Sequence, residues 1–207
     1  MAEMFGLIEE ELKILEEMDS PKKIQDFLNE FPVNFEEKGE TCMSPRRVLR
    51  ENKAHCIEGA MLAAVALRLQ GQKPLVLDLT ATKRDFDHVV AVFKKHGKWG
   101  AISKTNHAVL RYREPVYRDV RELVMSFFHE YFDDTGKKTL RSFSMPVDLS
   151  KFDKRNWVTE EKDLWYINDY LADVRHYPIL NKKQIAFLRK ADELEIEAGK
   201  LVQFKKT

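Results

Sequence analysis

The sequence predicts an α+β protein in which a helix that carries Cys56 packs on an antiparallel sheet and is flanked by further helices. The stretch Cys56–Leu69 (CIEGAMLAAVALRL) is rich in small apolar residues, which suits a helix that packs closely on all sides. Three runs rich in β-branched and aromatic residues follow it, at residues 75–80, 88–94 and 99–105. The dipeptide His96-Gly97 between the last two runs is a turn signal, so these strands are expected to be antiparallel neighbours. A helix followed by such a sheet is typical of the α+β class.

The composition is that of a globular protein with a core of its own. The chain has 207 residues, of which 43% are apolar and 33% charged, and this is too apolar for a disordered chain. Its 35 Lys and Arg residues nearly balance 34 Asp and Glu residues, which leaves a net charge of +1. A nucleic-acid-binding protein would usually carry a clear basic excess, so no nucleic-acid partner is expected.

No membrane association is expected either. Residues 1–18 are acidic and helix-patterned, and they lack the basic segment and apolar block of a signal peptide. No apolar run approaches the roughly 18 residues that a membrane-spanning helix needs. We therefore expect a cytoplasmic protein, in which free thiols persist.

Three helices are predicted before the Cys56 helix. Apolar residues at helical spacing indicate the first near residues 5–15. Ser20 and Ser44 are each followed by proline, which is typical of the first residues of a helix, and they begin the second and the third. The residues between these two helices have no clear period and are predicted to form a loop.

The elements beyond the Cys56 helix are predicted from turn residues and from periodicity. Gly71 is expected to end that helix. After the three strands, residues 119–132 are predicted to be helical and residues 138–149 to be extended. Two more helices are expected at residues 160–173 and 181–204, the second of them amphipathic.

The chain shows no internal repeat, low-complexity tract or linker. Residues 1–207 are therefore predicted to form one domain. Its core is expected at about residues 30–135, and a helical extension at about residues 160–207.

Cys56 and His88 are the candidate reactive pair. A helix N-terminus carries about half a positive charge, which lowers the pKa of a cysteine placed there and stabilises its thiolate. The free N–H groups of the first helical turn can bind an oxyanion. A thiolate also needs an imidazole that pairs with it and protonates the leaving group, and His88 opens a strand, where its side chain has a fixed direction.

The order of these elements carries a family resemblance. The strings AHCIEGAMLAAVALRLQGQKPLVLDL and DHVVAVFKKHGKWGAISKT resemble the transglutaminase-like branch of the papain-like cysteine enzyme superfamily. In that family a cysteine begins a helix rich in small residues, and a strand that opens with histidine leads through a turn to a tryptophan-led strand. The upstream string SPRRVLRENKAHC is similar as well, and the resemblance covers roughly residues 30–125. It implies a papain/transglutaminase-like core, with Cys56 as nucleophile and His88 as base.

The third residue departs from the family pattern. The family usually places an aspartate four residues after the tryptophan, and four residues after Trp99 this sequence has Ser103. The third residue accepts a hydrogen bond from the imidazole and fixes the tautomer and direction of the ring. A serine oxygen can accept that bond, but it adds no negative charge.

The length of the hairpin turn decides which residue faces His88. A two-residue turn sets Lys94 opposite Trp99 and places Ser103 on the same face as His88. A three-residue turn would instead present Lys104 and Asn106, and Asn106 would be a suitable orienting residue. The tryptophan spacing favours Ser103.

Neighbouring polar residues have ordinary structural interpretations. His55 is interpreted as a surface residue before the helix, with lining of a substrate cleft as the alternative. Glu58 is expected to cap the helix rather than bind a substrate amine. Asp87 is expected in a turn, and Cys42 is expected to be a free loop thiol, although a disulfide or redox pair with Cys56 is conceivable.

No metal or other cofactor is expected. The histidines and cysteines lack the spacing of a metal site, and the chain has no glycine-rich phosphate loop or nucleotide fingerprint.

Two functions remain open at this point. The first is thiol-dependent acyl transfer at an amide bond by a Cys-His dyad, with hydrolysis or transfer to an amine, on a peptide or a small amide. Cys56 would attack the carbonyl, His88 would shuttle the proton and Ser103 would orient His88. The second is a noncatalytic module of the same fold that binds a protein or peptide partner. The missing aspartate favours this second function.

Overall fold

The computed structural model describes residues 4–206 of the chain. Its secondary structure is α+β, as predicted. Within these residues it has eight α-helices: α1 Glu9–Glu17, α2 Pro21–Glu30, α3 Pro45–Glu51, α4 Cys56–Leu69, α5 Val120–Met125, α6 Trp165–Asp173, α7 Lys182–Phe187 and α8 Glu193–Gly199. Short 3-10 helices span Met4–Gly6, Phe128–Glu130 and Leu149–Arg155.

Within residues 4–206, seven strands form one antiparallel sheet. They are β1 Leu75–Thr80, β2 His88–Lys95, β3 Lys98–Ile102, β4 Arg113–Tyr117, β5 Ser142–Ser144, β6 Val147–Asp148 and β7 His176–Pro178. Their order is β4-β3-β2-β1-β5-β7, and β6 also pairs with β1. Because β7 pairs with β5, the chain beyond residue 160 contributes a strand to the sheet as well as helices. The division into core and extension stays a prediction.

The sheet buries an apolar cluster on each face. On one face α4 packs against β1 and β2, together with residues of α1, α2 and α6. Residues 57–67 of α4 are all buried, which explains why this helix is rich in small residues rather than amphipathic. On the other face, α5 and the residues after it cover β1, β2 and β3.

The β2–β3 hairpin has the predicted two-residue turn. Lys95 pairs with Lys98 and Lys94 with Trp99, so His96 and Gly97 form the turn. Both turn residues have positive φ, of 51° and 74°, as a type I′ turn requires. The register therefore places Ser103 beyond the end of β3 on the face of His88, and the alternative three-residue turn is wrong.

Gly59 lets α4 lie against the segment that follows β3. A Cβ atom at Gly59 would lie 2.5 Å from the Cβ of Lys104, closer than real Cβ contacts. The ammonium group of Lys104 donates hydrogen bonds to the carbonyls of Leu28, at 2.8 Å, and Phe31 at the end of α2. Lys104 thus satisfies the last carbonyls of a helix, which is a structural role.

Most local predictions up to β3 were accurate, and those beyond it were less so. The first helix begins at Glu9 rather than near residue 5, and the strand predicted at residues 99–105 ends at Ile102. The α4 and β1 boundaries, the helices begun by Ser20 and Ser44, and the loop between those two helices are confirmed. The helix predicted at residues 119–132 is shorter, because α5 ends at Met125 and a 3-10 helix follows. Strand β4 was not predicted.

The amphipathic helix predicted at residues 181–204 is wrong. The structure has two short helices there, α7 and α8, and neither has a buried residue. The chain after α8 instead pairs with the loop that follows β3: Ala108 N–H donates to the Leu201 carbonyl at 3.0 Å. Gln203 N–H donates to the Asn106 carbonyl at 2.9 Å. These long-range bonds replace continued helical pairing.

None of the helices within residues 4–206 combines the length and the apolar character that a membrane span requires.

Candidate active site

Cys56 is the first residue of α4 and is partly exposed. The chain is extended at the preceding residue, His55, with φ −98° and ψ −172°, so the helix starts abruptly at the cysteine. The thiol therefore lies at the positive end of a helix of 14 residues. This is the placement that the sequence predicted.

His88 opens β2 and is 7% exposed. Its imidazole lowers the pKa of the Cys56 thiol, through hydrogen bonding and through its charge. The helix and the strand thus bring together the two residues that the sequence proposed as a reactive pair, although they lie 32 positions apart in the chain.

Ser103 is the third member of this group. His88 Nε2 lies 2.8 Å from Ser103 Oγ, and Ser103 Oγ donates its own proton to the Leu110 carbonyl at 2.5 Å. Because the hydroxyl proton is committed to that carbonyl, Ser103 Oγ must accept from His88 Nε2–H. The remaining ring nitrogen, Nδ1, is therefore the one left for the Cys56 sulfur.

Gln25 of α2 holds Ser103 in place. Its side-chain carbonyl accepts from Ser103 N–H at 2.9 Å, and its side-chain amide donates to the Ser103 carbonyl at 2.9 Å. Gln25 is only 5% exposed. A buried amide that closes two bonds on one backbone residue fixes the position of the Ser103 hydroxyl. The sequence analysis missed this residue, and the only signal was a polar side chain on the apolar face of a helix.

Asn106 is not the residue that orients His88. Its side-chain amide donates to the Phe204 carbonyl at 2.9 Å, and its side-chain oxygen accepts from Phe204 N–H at 2.8 Å. Asn106 thus anchors the chain that follows α8, so this alternative is wrong.

His55 is a second imidazole at Cys56, and its interpretation as a surface residue is wrong. Its side chain is 21% exposed, and together with His88 its ring lowers the pKa of the Cys56 thiol. His55 Nε2 lies 2.9 Å from the Thr41 carbonyl and 3.3 Å from a carboxylate oxygen of Glu58. The sequence signal was adjacency alone, since His55 directly precedes the cysteine.

Glu58 is fully buried behind His55. It accepts hydrogen bonds from the backbone N–H groups of His55, at 3.0 Å, and Met43, at 2.9 Å. The Thr41 hydroxyl and the Asn34 amide also donate to it, at 2.7 Å and 3.2 Å. The bond from His55 N–H confirms the predicted capping role, but the remaining bonds make Glu58 the centre of a buried network as well.

These contacts set the pKa values of the site. Burial alone would raise the pKa of Cys56, but hydrogen bonds from His55 and His88, and the charge of these rings, hold it well below its usual range. Burial opposes protonation of His55, yet its bonds to Cys56 and Glu58 raise its pKa to about 11. Burial disfavours ionised Glu58, but the bond and charge of the His55 ring, together with the backbone N–H groups of Met43 and His55, outweigh this and lower its pKa to about 2.

Cys42 and Asp87 have the structural roles that were predicted. Cys42 is a free, fully buried thiol, and burial, followed by the charge of Glu58, raises its pKa. Asp87 accepts from Ala81 N–H at 2.7 Å and so closes the turn before β2. Cys56 is therefore the cysteine with thiolate character.

A cleft of about 740 Å³ lies beside His88. Its walls come from the β1–β2 loop, the loop after β3, the residues around Tyr131 and the end of α8. The lining includes His88 but not Cys56. A small ligand in the cleft would thus meet the imidazole before the sulfur.

In the part of the chain that the structure describes, no group of three or more His, Cys, Asp or Glu side chains is arranged to hold a metal ion. The chemistry that the site can support without added groups is that of a thiolate with two imidazoles.

Replacing Ser103 by alanine should slow His88-dependent steps by about fivefold, because the ring loses one neutral hydrogen bond, worth about 1 kcal/mol. The measurement is the rate at which an acetyl group leaves Cys56 after loading from an activated ester. Thr105→Ala is the matched control, since the Thr105 hydroxyl accepts from His107 N–H at 3.1 Å. Equal rates in Ser103→Ala and the unmodified protein would contradict an orienting role for this hydroxyl.

No protein-family model matches the chain, and no curated protein is significantly similar to it in sequence. What can be said of its chemistry therefore rests on the geometry around Cys56.

Proposed function

We propose that the protein is a cysteine-dependent acyl-transfer enzyme that acts on amide bonds through Cys56, His88 and Ser103. One observation carries the proposal: Cys56 lies at the N-terminus of α4 with its thiol pKa lowered by His88, and the Nε2 of His88 donates to Ser103 Oγ at 2.8 Å. A nucleophile, a base and a group that orients the base are the parts that covalent catalysis needs. The order of Cys helix, His strand and third residue also supports a core of the transglutaminase-like type.

The first half of the reaction forms an acyl-enzyme. The Cys56 thiolate attacks the amide carbonyl carbon, a C–S bond forms, and the C–N bond breaks. Protonated His88 gives its Nδ1 proton to the departing nitrogen, so that a neutral amine leaves. The N–H of Cys56, in the first turn of α4, is placed to bind the oxyanion of the tetrahedral intermediate.

The second half regenerates the thiolate. Neutral His88 takes a proton from water or from an acceptor amine as that nucleophile attacks the thioester carbon. The C–S bond breaks, Cys56 returns as thiolate and His88 returns as imidazolium. Because His88 deprotonates water and an amine in the same way, the same side chains can carry out hydrolysis and transfer to an amine.

The cleft beside His88 supports an amide of peptide or small-molecule size as the substrate. Its volume, about 740 Å³, lies within the range of small-ligand sites. Approach through this cleft would bring the acceptor directly to the imidazole that must deprotonate it.

A noncatalytic binding module is the second candidate. The observation that favours it is the neutral partner of His88, because Ser103 adds no charge that would stabilise an imidazolium. In that case the cleft would bind a peptide without turnover.

Acylation by p-nitrophenyl acetate separates the two candidates. We expect the protein to release p-nitrophenolate in a burst and then in steady turnover, with the acetyl group found on the peptide that contains Cys56. Cys56→Ser should abolish both phases, whereas Cys42→Ser should preserve them if the variant folds. Acylation of Cys56 no faster than that of free cysteine, without turnover, would refute the enzyme and favour the binding module.

A further inference from the structure

Two imidazoles lower the pKa of the Cys56 thiol, but the groups behind them differ in charge. His88 is backed by the neutral hydroxyl of Ser103 at 2.8 Å. His55 is backed by the carboxylate of Glu58 at 3.3 Å. The carboxylate behind His55 favours the imidazolium form of that ring.

The Thr41 carbonyl fixes the tautomer of His55. A carbonyl only accepts hydrogen bonds, so His55 Nε2, at 2.9 Å from it, must carry a hydrogen. The other nitrogen of His55, Nδ1, is then left for the Cys56 sulfur. When Nδ1 is protonated as well, His55 is a cation that donates to the thiolate on one side and to backbone and carboxylate oxygens on the other.

Glu58 supplies the charge that favours this cation. It is fully buried and accepts four hydrogen bonds besides its contact with His55, so its negative charge is well solvated by the protein. A buried anion beside a buried imidazole stabilises the imidazolium form of the ring.

We propose that His55 is the ion-pair partner of the Cys56 thiolate and that Glu58 keeps it charged, which leaves His88 free to move protons. This assignment rests on the proposed role of Cys56 as the nucleophile. It divides between two histidines the tasks that one histidine carries out in a Cys-His dyad. The His55 cation balances the negative charge of the Cys56 thiolate whenever the sulfur carries no acyl group. His88 gains and loses the proton of each half-reaction.

Of the remaining charged neighbours, Glu36 favours the imidazolium form of His55, whereas His88 disfavours it when His88 is protonated. A carboxylate oxygen of Glu36, in the loop before α3, lies 3.6 Å from His55 Nε2 and adds negative charge on the same side. From α4 the groups that face His55 are Cys56 and Glu58, and from β2 His88 acts on the same thiol.

This division of tasks between His55 and His88 explains why a serine, rather than an aspartate, lies beside His88. An aspartate beside His88 would add charge to a ring that must release its proton, while the thiolate already has a cationic partner in His55. Ser103 fixes the direction of His88 through a hydrogen bond and leaves its charge free to change.

The pH dependence of Cys56 alkylation tests this assignment. Iodoacetamide reacts with the thiolate, and peptide mapping by mass spectrometry separates Cys56 from the buried Cys42. Rates are measured from about pH 5 to about pH 10 for the unmodified protein, His55→Gln and His88→Gln. Dividing each rate by its high-pH plateau removes differences in the accessibility of the sulfur.

We expect His55→Gln to lower the normalised rate near pH 6 by at least about tenfold, and His88→Gln to lower it by less than about threefold. Glu58→Gln should act in the same direction as His55→Gln. Circular dichroism checks each fold, and His55→Asn takes the place of His55→Gln if the latter does not fold.

The opposite order, or equal losses in the two histidine variants, would overturn the assignment. These outcomes differ from failure of the proposed function. If Cys56 alkylation depends on His55 but no acyl group is ever transferred, the ion-pair assignment holds and the proposed acyl-transfer function is refuted.

Discussion

Replacing His88 by alanine should slow release of an acetyl group from Cys56 by about 10³-fold, the usual range for loss of a general base being about 10² to 10⁴. Loading of Cys56 from an activated ester should change much less, because a good leaving group needs no proton and His55 still pairs with the thiolate. The second half-reaction, in contrast, requires a base beside the thioester, and the variant lacks the imidazole proposed for that role.

The experiment separates these two steps. The protein is loaded with p-nitrophenyl acetate, excess ester is removed, and the acetylated Cys56 peptide is followed over time by mass spectrometry. Added imidazole should restore part of the lost rate, because His88 lines a cleft of about 740 Å³ that admits a molecule of this size.

Asn106→Ala is the control for this prediction. Asn106 bonds to the backbone of Phe204 rather than to His88, so the variant should release acetyl at nearly the unmodified rate. If His88→Ala released acetyl as fast as the unmodified protein, the assignment of His88 as the base would be wrong.

Replacing Glu58 by glutamine should lower the free energy of unfolding by about 3 kcal/mol, since removal of one partner from a buried ion pair leaves the other uncompensated. The glutamine amide would also point its N–H group at donors such as Met43 N–H or the Thr41 hydroxyl. Urea denaturation measures the loss. Glu36→Gln, which alters a partly exposed carboxylate 3.6 Å from the same ring, should cost less than about 1 kcal/mol.

The contribution of this pair should also depend on pH. The pKa of Glu58 is lowered from 4.5 to about 2, so its stabilisation is present above pH 4.5 and is lost as the pH falls through about 2. The pKa of His55 is raised from 6.5 to about 11, so its stabilisation is present below pH 6.5 and is lost as the pH rises through about 11. Both contributions are complete between these limits, and the difference between the unmodified protein and Glu58→Gln should be largest there. A difference that did not shrink toward low pH would contradict the ionised state of Glu58.

Local patterns predicted the parts of the fold that local energetics control. Helix α4 was predicted to the residue because its small apolar side chains end at Gly71, which has the positive φ, 79°, that glycine adopts readily. The β2–β3 hairpin was predicted because His96 and Gly97 fit a type I′ turn. That turn sets the register, and the register alone decided for Ser103 over Asn106.

Patterns failed where distant contacts outweigh local preference. Strand β4 forms only because it pairs with β3, and its short sequence carries no period of its own. Residues 181–204 have helical periodicity, yet the chain after α8 pairs with the loop after β3 instead. Propensity is a weak contribution that such tertiary bonds override.

For the site, the sequence by itself determined where Cys56, His88 and Ser103 lie, because a helix start, a strand start and a hairpin register are local properties. Only the tertiary structure decided which residues contact and support these side chains. Gln25 reaches Ser103 from 78 positions away, and Glu58 becomes the buried partner of His55 because the loop around Thr41 folds over both. Burial and the convergence of donors on one carboxylate are properties of the packed chain. They favour the charged forms of Glu58, a helix-capping residue, and of His55 beside it.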